Sequence, residues 1–228
     1  MKVIGHRGAA GLELENTAAS LKKAVELGVD AIEVDVRETK DHQLVLCHDE
    51  TLIRIADNPA RIRDLTLAEL QAIQLPNGES LISLAEALQL IGQTSIIIEL
   101  KEKDTAPLLL KVLHEFPKVH ASVTSFKLSE LVYIHDKQPS LQLYLSEMTK
   151  PFEVIHLAAI HDISGIGLNY RLLNPVTYWR IHHRHKQLFV WTVNNVFIAG
   201  FIHLLYPQAA ICTDRPDKLL MLKKRLRV

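Results

Sequence analysis

The feature that most restricts the fold is a repeated alternation of a short β-rich segment with a stretch long enough for a helix. Eight β-rich segments recur along the chain, at residues 3–5, 31–36, 95–100, 121–125, 141–145, 165–168, 188–193 and 210–213. Helix candidates between them include residues 17–27, 83–91, 107–115, 127–136 and 175–185. Eight such units predict an α/β fold of the TIM (β/α)8 barrel type. The alternative is a doubly wound open sheet, which would place a site where the strand order reverses.

One further β-rich segment, residues 43–47, does not fit the eightfold count. Only residues 37–42 separate it from the second strand, and a parallel crossover needs about a dozen residues or more. It is therefore expected to fold back as an antiparallel β-hairpin after strand two. A turn near Asp41 would bring His48 roughly opposite residues 34 and 35. Residues 50–82 then form a small insertion within a single domain spanning 1–228.

Charge and composition exclude several classes of partner. The 26 basic and 26 acidic residues balance, so the chain as a whole has no long-range field that attracts nucleic acid or an anionic membrane. No stretch of about 18 apolar residues occurs, so no stable membrane insertion is expected. The two cysteines, Cys47 and Cys212, lie in apolar segments and are predicted to be buried free thiols. Free thiols, with too short an apolar N-terminus for a signal peptide, favour a cytoplasmic location.

Acidic residues alternate with apolar ones in the second strand. Strand periodicity places Glu33 and Asp35 on one face and Ile32, Val34 and Val36 on the other. If the apolar face packs against helices, both carboxylates point into the barrel. The same alternation recurs in Ile96-Ile97-Ile98-Glu99-Leu100-Lys101, where it directs Glu99 and Lys101 inward.

Three carboxylates in a low-dielectric interior repel one another unless a cation neutralises them. Oxygen ligands indicate one hard divalent cation, Mg²⁺ or Ca²⁺. The simpler interpretation is that these acids are exposed at strand ends or pair with Arg7 and Lys101. Repetition of the pattern in two strands favours a site.

Two histidines occupy comparable strand ends. His6 follows the first strand within Gly5-His6-Arg7-Gly8, and His48 follows the hairpin strand. A histidine at a strand end is often structural, but imidazole is also the side chain best suited to proton transfer near neutral pH. Together, at one end of the barrel, they are candidates for an acid/base pair.

The ordered motifs of the chain resemble those of the glycerophosphodiester phosphodiesterase family, from residue 3 to about residue 217. The motifs are His6-Arg7-Gly8, Glu15-Asn16-Thr17, Glu33-Val34-Asp35-Val36, His48-Asp49, Glu99-Leu100-Lys101, Ser125-Phe126, Trp191-Thr192-Val193-Asn194 and Thr213-Asp214-Arg215-Pro216. Each motif is weak alone, and eight in order are specific. Among the departures, Leu14 stands where the family often has proline.

The resemblance implies a metal-dependent enzyme that hydrolyses glycerophosphodiesters, which are small molecules, to sn-glycerol 3-phosphate and an alcohol. It implies roles that fall into three groups. The catalytic pair would be His6 and His48, the metal ligands Glu33, Asp35 and Glu99, and the substrate-binding residues Arg7, Glu15, Lys101 and Trp191. Here Arg7 and Lys101 would bind phosphate, Glu15 would orient them, and Trp191 would line the glycerol pocket.

Other functions remain open on the same barrel. It could act on lysophospholipids as a lysophospholipase D, or release a cyclic phosphate by internal transfer. The charged insertion, with Arg54, Asp57, Arg61, Arg63 and Asp64, favours soluble substrates. A non-catalytic phosphate-binding barrel is disfavoured because every proposed ligand and proton carrier is present.

Two basic tracts near the end of the chain receive simpler interpretations. Residues 182–185, His-His-Arg-His, point in different directions on a helix and are expected to be a solvated helix end. Residues 223–227 are most simply cations at a helix C-terminus. Membrane docking through this tail is the less favoured interpretation, because a few charges alone give little affinity.

Overall fold

The β-rich segments pair side by side into a closed ring in the computed structural model, which describes residues 1–226. The strands are β1 (Lys2–Gly5), β2 (Ala31–Glu38), β3 (Leu44–Leu46), β4 (Ile96–Leu100), β5 (Ala121–Ser125), β6 (Gln142–Glu147), β7 (Gly165–Asn169), β8 (Gln187–Trp191) and β9 (Ala210–Thr213). Eight of them are parallel in the order β1-β2-β4-β5-β6-β7-β8-β9, and β9 pairs with β1 again. Closure confirms the TIM barrel and excludes the open sheet.

Ten helices of the described chain surround or extend the barrel. They are α1 (Ala18–Leu27), α2 (Ile53–Ala56), α3 (Leu67–Gln71), α4 (Leu84–Ile91), α5 (Ala106–Glu115), α6 (Leu128–Lys137), α7 (Pro151–Ile160), α8 (Pro175–His183), α9 (Val196–Leu205) and α10 (Pro216–Arg225). The predicted helix at 17–27 is confirmed, with Thr17 as the N-cap that accepts from the Ser20 N–H and Gly28 as the left-handed C-cap. No helix between residues 1 and 226 is long and apolar enough to cross a bilayer.

The strands bury both of their faces, as a parallel barrel requires. On β2 the outward residues Ile32, Val34 and Val36 are fully buried against the helices. The inward face builds a second apolar layer across the barrel, made by Ile4, Ile97, Tyr144, Phe189 and Cys212.

Two glycines of β7 make room for the rings of this inner layer. A Cβ atom at Gly165 would lie 2.6 Å from the Tyr144 ring, and one at Gly167 would lie 2.5 Å from the Phe189 ring. Any side chain on these positions would therefore displace an aromatic ring. The layer closes the barrel interior beneath the mouth formed by the carboxyl ends of the strands.

The extra strand folds back as predicted. β3 pairs antiparallel with β2, with Val36 opposite Leu46 and Glu38 opposite Leu44. The Cys47 N–H donates to the Asp35 carbonyl at 3.1 Å, so residue 48 returns beside residues 34 and 35. The expectation for His48 is confirmed.

The insertion that follows has a small core of its own. Buried Leu52, Ile62, Leu70 and Leu81 pack with Val45 of β3, apart from the main barrel core. Both cysteines are free and buried, as predicted: Cys47 belongs to the insertion's core and Cys212 to the barrel's inner layer.

Candidate active site

Three carboxylates meet at the barrel mouth because β2 and β4 are neighbours in register. Asp35 lies directly opposite Glu99, and Glu33 lies on the same face of β2 one pleat earlier. Carboxylate oxygens of all three lie within 4.8 Å of one another. Glu33 and Asp35 are only 3% and 1% exposed, so water solvates these charges poorly.

Burial and mutual repulsion shift the pKa values of the three carboxylates in different directions. Burial, reinforced by the charge of Asp35, raises the pKa of Glu33 and of Glu99. Burial also opposes ionisation of Asp35, but nearby Lys101 and Arg7 hold its pKa below the usual value. The nearby cations thus keep Asp35 ionised, whereas burial and the charge of Asp35 disfavour ionisation of Glu33 and, despite Lys101, of Glu99.

Lys101 and Arg7 provide those cations from opposite sides. Lys101 Nζ lies 2.7 Å from Glu99 Oε1 and 3.4 Å from Asp35 Oδ1. Arg7 Nε lies 3.0 Å from Asp35 Oδ2 as an ion pair, although its geometry is not that of a hydrogen bond. The Arg7 backbone N–H donates to Glu33 Oε2 at 3.0 Å. Arg7 has a left-handed backbone, with φ of 50°.

Two residues of the loop after β1 hold this arrangement in place. Glu15 accepts from Arg7 Nη1 at 2.8 Å and lies behind the arginine, outside the cavity. Asn16 Nδ2 donates to Asp35 Oδ2 at 3.0 Å and so helps to fix the carboxylate.

His6 lies at the end of β1 and is held by the end of β9. Its Nδ1 is 2.6 Å from Asp214 Oδ1, and its Nε2 is 3.9 Å from Glu33 Oε2. The carboxylate of Asp214 can only accept, so Nδ1 donates and Nε2 faces the carboxylate cluster. Burial lowers the pKa of His6, but Asp214 and Glu33 outweigh burial and raise it above the usual value. Asn194 Nδ2 donates to Asp214 in turn, at 2.5 Å.

His48 reaches the cluster from the hairpin. Its Nδ1 is 2.6 Å from Asp49 Oδ1, and Arg54 Nε donates to Asp49 Oδ2 at 2.5 Å. Burial lowers the pKa of His48, against the opposing charge of Asp35. About a third of the side chain is exposed, compared with 17% for His6.

A cavity of about 280 Å³ lies over these groups. Ionisable side chains, hydroxyl side chains and an apolar wall line it; His6, Arg7, His48 and Lys101 are among the first group, and Thr124, Ser146 and Thr192 form the second. The apolar wall consists of Phe126, Met148 and Trp191. The rings of Phe126 and Trp191 meet edge to face with centroids 5.6 Å apart, and the buried indole N–H of Trp191 has no hydrogen-bond partner among the described residues.

A larger cavity, of about 670 Å³, opens at the opposite end of the barrel beside Lys2, Gln142 and Gln187. It contains none of the three carboxylates and neither His6 nor His48. The chemistry therefore favours the smaller cavity, at the end where barrel enzymes place their active sites.

The structure brings the predicted site residues to one place. Seven line the cavity, Asp35 lies within the carboxylate cluster, and Glu15 contacts Arg7 from behind. Asp214 and Asp49, the partners of the two histidines, were not predicted, nor were Asn16, Phe126 and Met148. Asp49 directly follows His48 in the chain, and Asp214 directly follows the last strand of a closed ring, so both had a signal in the sequence.

Comparison with known proteins agrees with this geometry. The sequence model of the glycerophosphoryl diester phosphodiesterase family matches residues 6–218. The chain belongs to this family. A glycerophosphodiester phosphodiesterase from Caldanaerobacter subterraneus subsp. tengcongensis is 30% identical over 98% of both chains. The human lysophospholipase D GDPD1 is 37% identical over 145 residues, which are 60% of this chain and 42% of the relative.

The fold is also closely similar to solved structures of phosphodiesterases. A phosphodiesterase from Oleispira antarctica, solved in complex with the product sn-glycerol-3-phosphate, superposes with a TM-score of 0.91 at 25% identity. The alignment covers 98% of this chain and 97% of that one.

Proposed function

We propose that this family member hydrolyses glycerophosphodiesters to sn-glycerol 3-phosphate and an alcohol. The single observation that carries the proposal is the cluster of Glu33, Asp35 and Glu99 with an imidazole on either side, facing one cavity. The activity of the Caldanaerobacter relative and the product bound to the Oleispira structure support the choice of substrate.

The three carboxylates fit a hard divalent cation, Mg²⁺ or Ca²⁺. Their donors are all oxygen, they lie within 4.8 Å of one another, and burial beside Asp35 raises the pKa of Glu33 and Glu99, so a bound cation would favour their ionised forms. When bound, such an ion would act as a Lewis acid toward a phosphate oxygen. We assign Glu33, Asp35 and Glu99 as its ligands.

Arg7 and Lys101 are proposed to bind the phosphate. Both cations line the cavity beside the carboxylates, where they can donate to non-bridging oxygens and offset the charge that develops on them. Glu15 and Asp35 keep the Arg7 guanidinium in place before substrate arrives. Such preorganisation removes a reorganisation cost from the reaction.

His6 and His48 are proposed to transfer the two protons of the reaction. Asp214 and Asp49 bind Nδ1 of each ring, so each Nε2 is directed away from its partner carboxylate and is free for substrate. One imidazole removes a proton from the nucleophile and the other protonates the departing alkoxide. The nucleophile is water, or the glycerol 2-hydroxyl if the reaction passes through a cyclic phosphate.

The apolar wall is proposed to receive the carbon face of the glycerol. Trp191 and Phe126 present a fixed edge-to-face pair, and the unpartnered indole N–H is a donor for a substrate oxygen. We further propose that residues 1–228 act as one catalytic domain and that the enzyme works in the cytoplasm, where two free buried thiols are compatible with a reducing environment.

A substrate panel with and without chelator tests the proposal. Glycerophosphocholine and glycerophosphoethanolamine should give glycerol 3-phosphate with added Mg²⁺ or Ca²⁺, and no product with chelator. Glu33→Gln and Glu99→Gln should abolish turnover while the exposed Glu13→Gln does not. Full turnover in chelator would remove the metal from the reaction.

Two arms of the same panel separate the alternatives. Turnover of lysophosphatidylcholine in preference to glycerophosphocholine would identify a lysophospholipase D. A cyclic glycerol phosphate seen by phosphorus NMR would identify internal transfer. Binding of glycerol 3-phosphate without turnover of any substrate would identify a non-catalytic barrel.

A further inference from the structure

Helix α9 has an apolar face turned to solvent. The helix, Val196–Leu205, contains no Asp, Glu, Lys or Arg. Phe197, Phe201, Leu204 and Leu205, here called the α9 face, are 81%, 65%, 75% and 60% exposed. Phe197, Phe201 and Leu204 follow the i, i+4, i+7 spacing, so they form one continuous stripe along the helix.

Exposed large apolar side chains are concentrated on the last four helices of the barrel. Of the large apolar side chains that are exposed in residues 1–226, eleven of sixteen belong to α7, α8, α9, α10 or the residue after α10. Helices α1, α4, α5 and α6 together contribute only Tyr133. Single exposed apolar residues are ordinary, whereas a contiguous patch marks a surface that binds something.

The helices before and after α9 also carry exposed apolar side chains. Met221 on α10 is 57% exposed and Trp179 on α8 is 59% exposed. Helix α10 packs directly on α9, since Leu222 lies 3.9 Å from where a Cβ would stand on Gly200. Tyr178 of α8 packs against Tyr206 just beyond α9, with ring centroids 5.0 Å apart. Helix α10 therefore packs along α9, whereas α8 contacts the chain just beyond the end of α9.

The balanced charge of the chain conceals a strong asymmetry. Residues 171–228 contain 10 basic and 2 acidic residues, a net charge of +8. Residues 1–170 contain 16 basic and 24 acidic residues, a net charge of −8, so the totals are 26 and 26. Both acids of the basic segment are already paired: Asp214 binds His6 and Asp217 binds Arg215.

Two of these cations border the α9 face. Lys218 and Arg225 stand four residues before and three residues after Leu222, so they lie along the edge of α10 that meets α9. On α8, the Arg180 guanidinium lies over the Phe152 ring of α7, 4.7 Å from its centroid, so it faces away from α9. The apolar stripe is thus bordered by positive charge on its α10 side.

This combination fits the surface of an anionic lipid bilayer better than the other occupants. A twofold dimer through the α9 face would set equivalent surpluses of positive charge against each other. A nucleic acid would match the charge but leave the phenylalanine and leucine side chains without partners. Bilayers accept an apolar helix face at the level of the headgroups, and anionic lipids attract the cations around it.

We propose that the α9 face is a peripheral docking site through which the protein binds the surface of an anionic lipid bilayer. Docking is reversible, inserts side chains rather than a helix, and leaves the barrel mouth free to take substrate from water. The site is distinct from the cavity at the barrel mouth and does not depend on the activity proposed for it.

Vesicle flotation of the full chain tests the docking site. The protein should float with vesicles that contain phosphatidylglycerol, float much less with phosphatidylcholine alone, and be released as salt is raised. Phe201→Ser with Leu204→Ser should weaken partitioning about tenfold or more. Lys218→Gln with Arg225→Gln should weaken it about thirtyfold.

Matched controls come from the polar side of the barrel. Tyr133→Ser and Lys111→Gln, on α6 and α5, should leave partitioning unchanged. All variants should keep wild-type turnover of a soluble glycerophosphodiester and wild-type circular dichroism, which excludes misfolding as the cause of lost binding.

Two results would overturn the inference. One is equal flotation of the wild type and of the variants of the α9 face, or equal binding to neutral and anionic vesicles. The other is a wild-type dimer in sedimentation velocity that Phe201→Ser converts to a monomer, which would make the face a contact between copies of this chain.

Discussion

The two histidines reach the same carboxylates from differently built parts of the protein. On the His6 side, residues that directly follow barrel strands supply the contacts: His6 comes after β1, Asp214 after β9, and Asn194 shortly after β8. On the His48 side, the contacts come from the hairpin and the insertion, where Asp49 holds the ring and Arg54 holds Asp49.

The difference extends to burial and electrostatics. His6 is 17% exposed and its pKa is raised through Asp214 and Glu33, whereas a third of His48 is exposed and burial lowers its pKa. The barrel strands fix His6 through the main core, while a small separate core fixes His48. We infer that the His6 side is rigid and the His48 side is the adjustable half of the site.

The largest effect should come from removing either imidazole. His6→Ala and His48→Ala should each lower kcat about 10²–10⁴-fold with a natural substrate. A substrate with an activated leaving group, such as glycerophospho-p-nitrophenol, needs no general acid. Its turnover should therefore recover in the variant that has lost the acid and stay low in the variant that has lost the base.

Kinetics with both substrates on both variants thus divides the two roles. Circular dichroism should show that each variant remains folded. Equal recovery in both variants would contradict a division of labour between the two sides. Near-normal rates of either variant on glycerophosphocholine would exclude that histidine from the reaction.

The partner carboxylates should show the same asymmetry at smaller scale. Asp214→Asn removes a charge that is bonded to a mostly buried ring, and a loss of about 10–100-fold in kcat is expected, by analogy with other residues that orient a functional histidine. Asp49→Asn should cost less, because the ring it holds, His48, is about one-third exposed, compared with 17% for His6. The measurement is the full pH profile of kcat for both variants. A larger loss for Asp49→Asn would reverse our ranking of the two sides.

The Asp214 contact of His6 was not predicted, although the sequence contains enough to infer it. Strand periodicity gave eight units, and a closed ring of eight makes the last strand a neighbour of the first. Asp214 could therefore have been paired with His6 across 208 positions of the chain. Strand periodicity carries no information about contacts within an irregular insertion. The ion pairs of Arg54 with Asp49 and Glu15 were therefore not predictable.

The α9 face was hidden for a different reason. A helix that is apolar all round is usually buried, and only the packing of α8 and α10 shows that one side of α9 lacks a covering element. Likewise the balanced net charge suggested that the chain had no long-range electrostatic field. A total over all residues cancels the negative charge of residues 1–170 against the positive charge of residues 171–228. Charge summed by segment would have revealed the asymmetry.

Arg54 offers a sharper test of the His48 side alone. Its guanidinium joins Glu15 to Asp49, so Arg54→Gln should loosen His48 and the support of Arg7 while leaving His6 untouched. Because Arg54 is about half exposed, the loss should be only several-fold in kcat/KM. Arg61→Gln, an exposed arginine of the same insertion, is the control and should behave like the wild type. An effect as large as that of His48→Ala would show that Arg54 itself contacts substrate.

The smallest expected effect on activity comes from loosening one of the two hydrophobic cores that support the histidines. One buried cysteine lies in the insertion's core and the other in the barrel's inner layer, so alkylation of each cysteine measures the opening of that part. Burial raises the pKa of the Cys47 thiol to about 12 from 9.0, which lowers its thiolate fraction about a thousandfold at neutral pH. Burial also raises the pKa of Cys212. Both thiols should therefore resist iodoacetamide at pH 8 in the native protein.

Leu52→Ala cuts a fully buried side chain from the insertion's core, with an expected local cost of about 2–5 kcal/mol. Local opening should expose Cys47 to alkylation while Cys212, in the barrel, stays protected. Leu131→Ala removes an equally buried side chain from the barrel core and is the matched control. It should not increase the alkylation of Cys47 relative to Cys212. Peptide mass spectrometry after timed alkylation measures both sites at once. If Leu52→Ala released the two thiols together, the insertion and barrel would unfold as one unit, and the His48 side could not be the independently adjustable half.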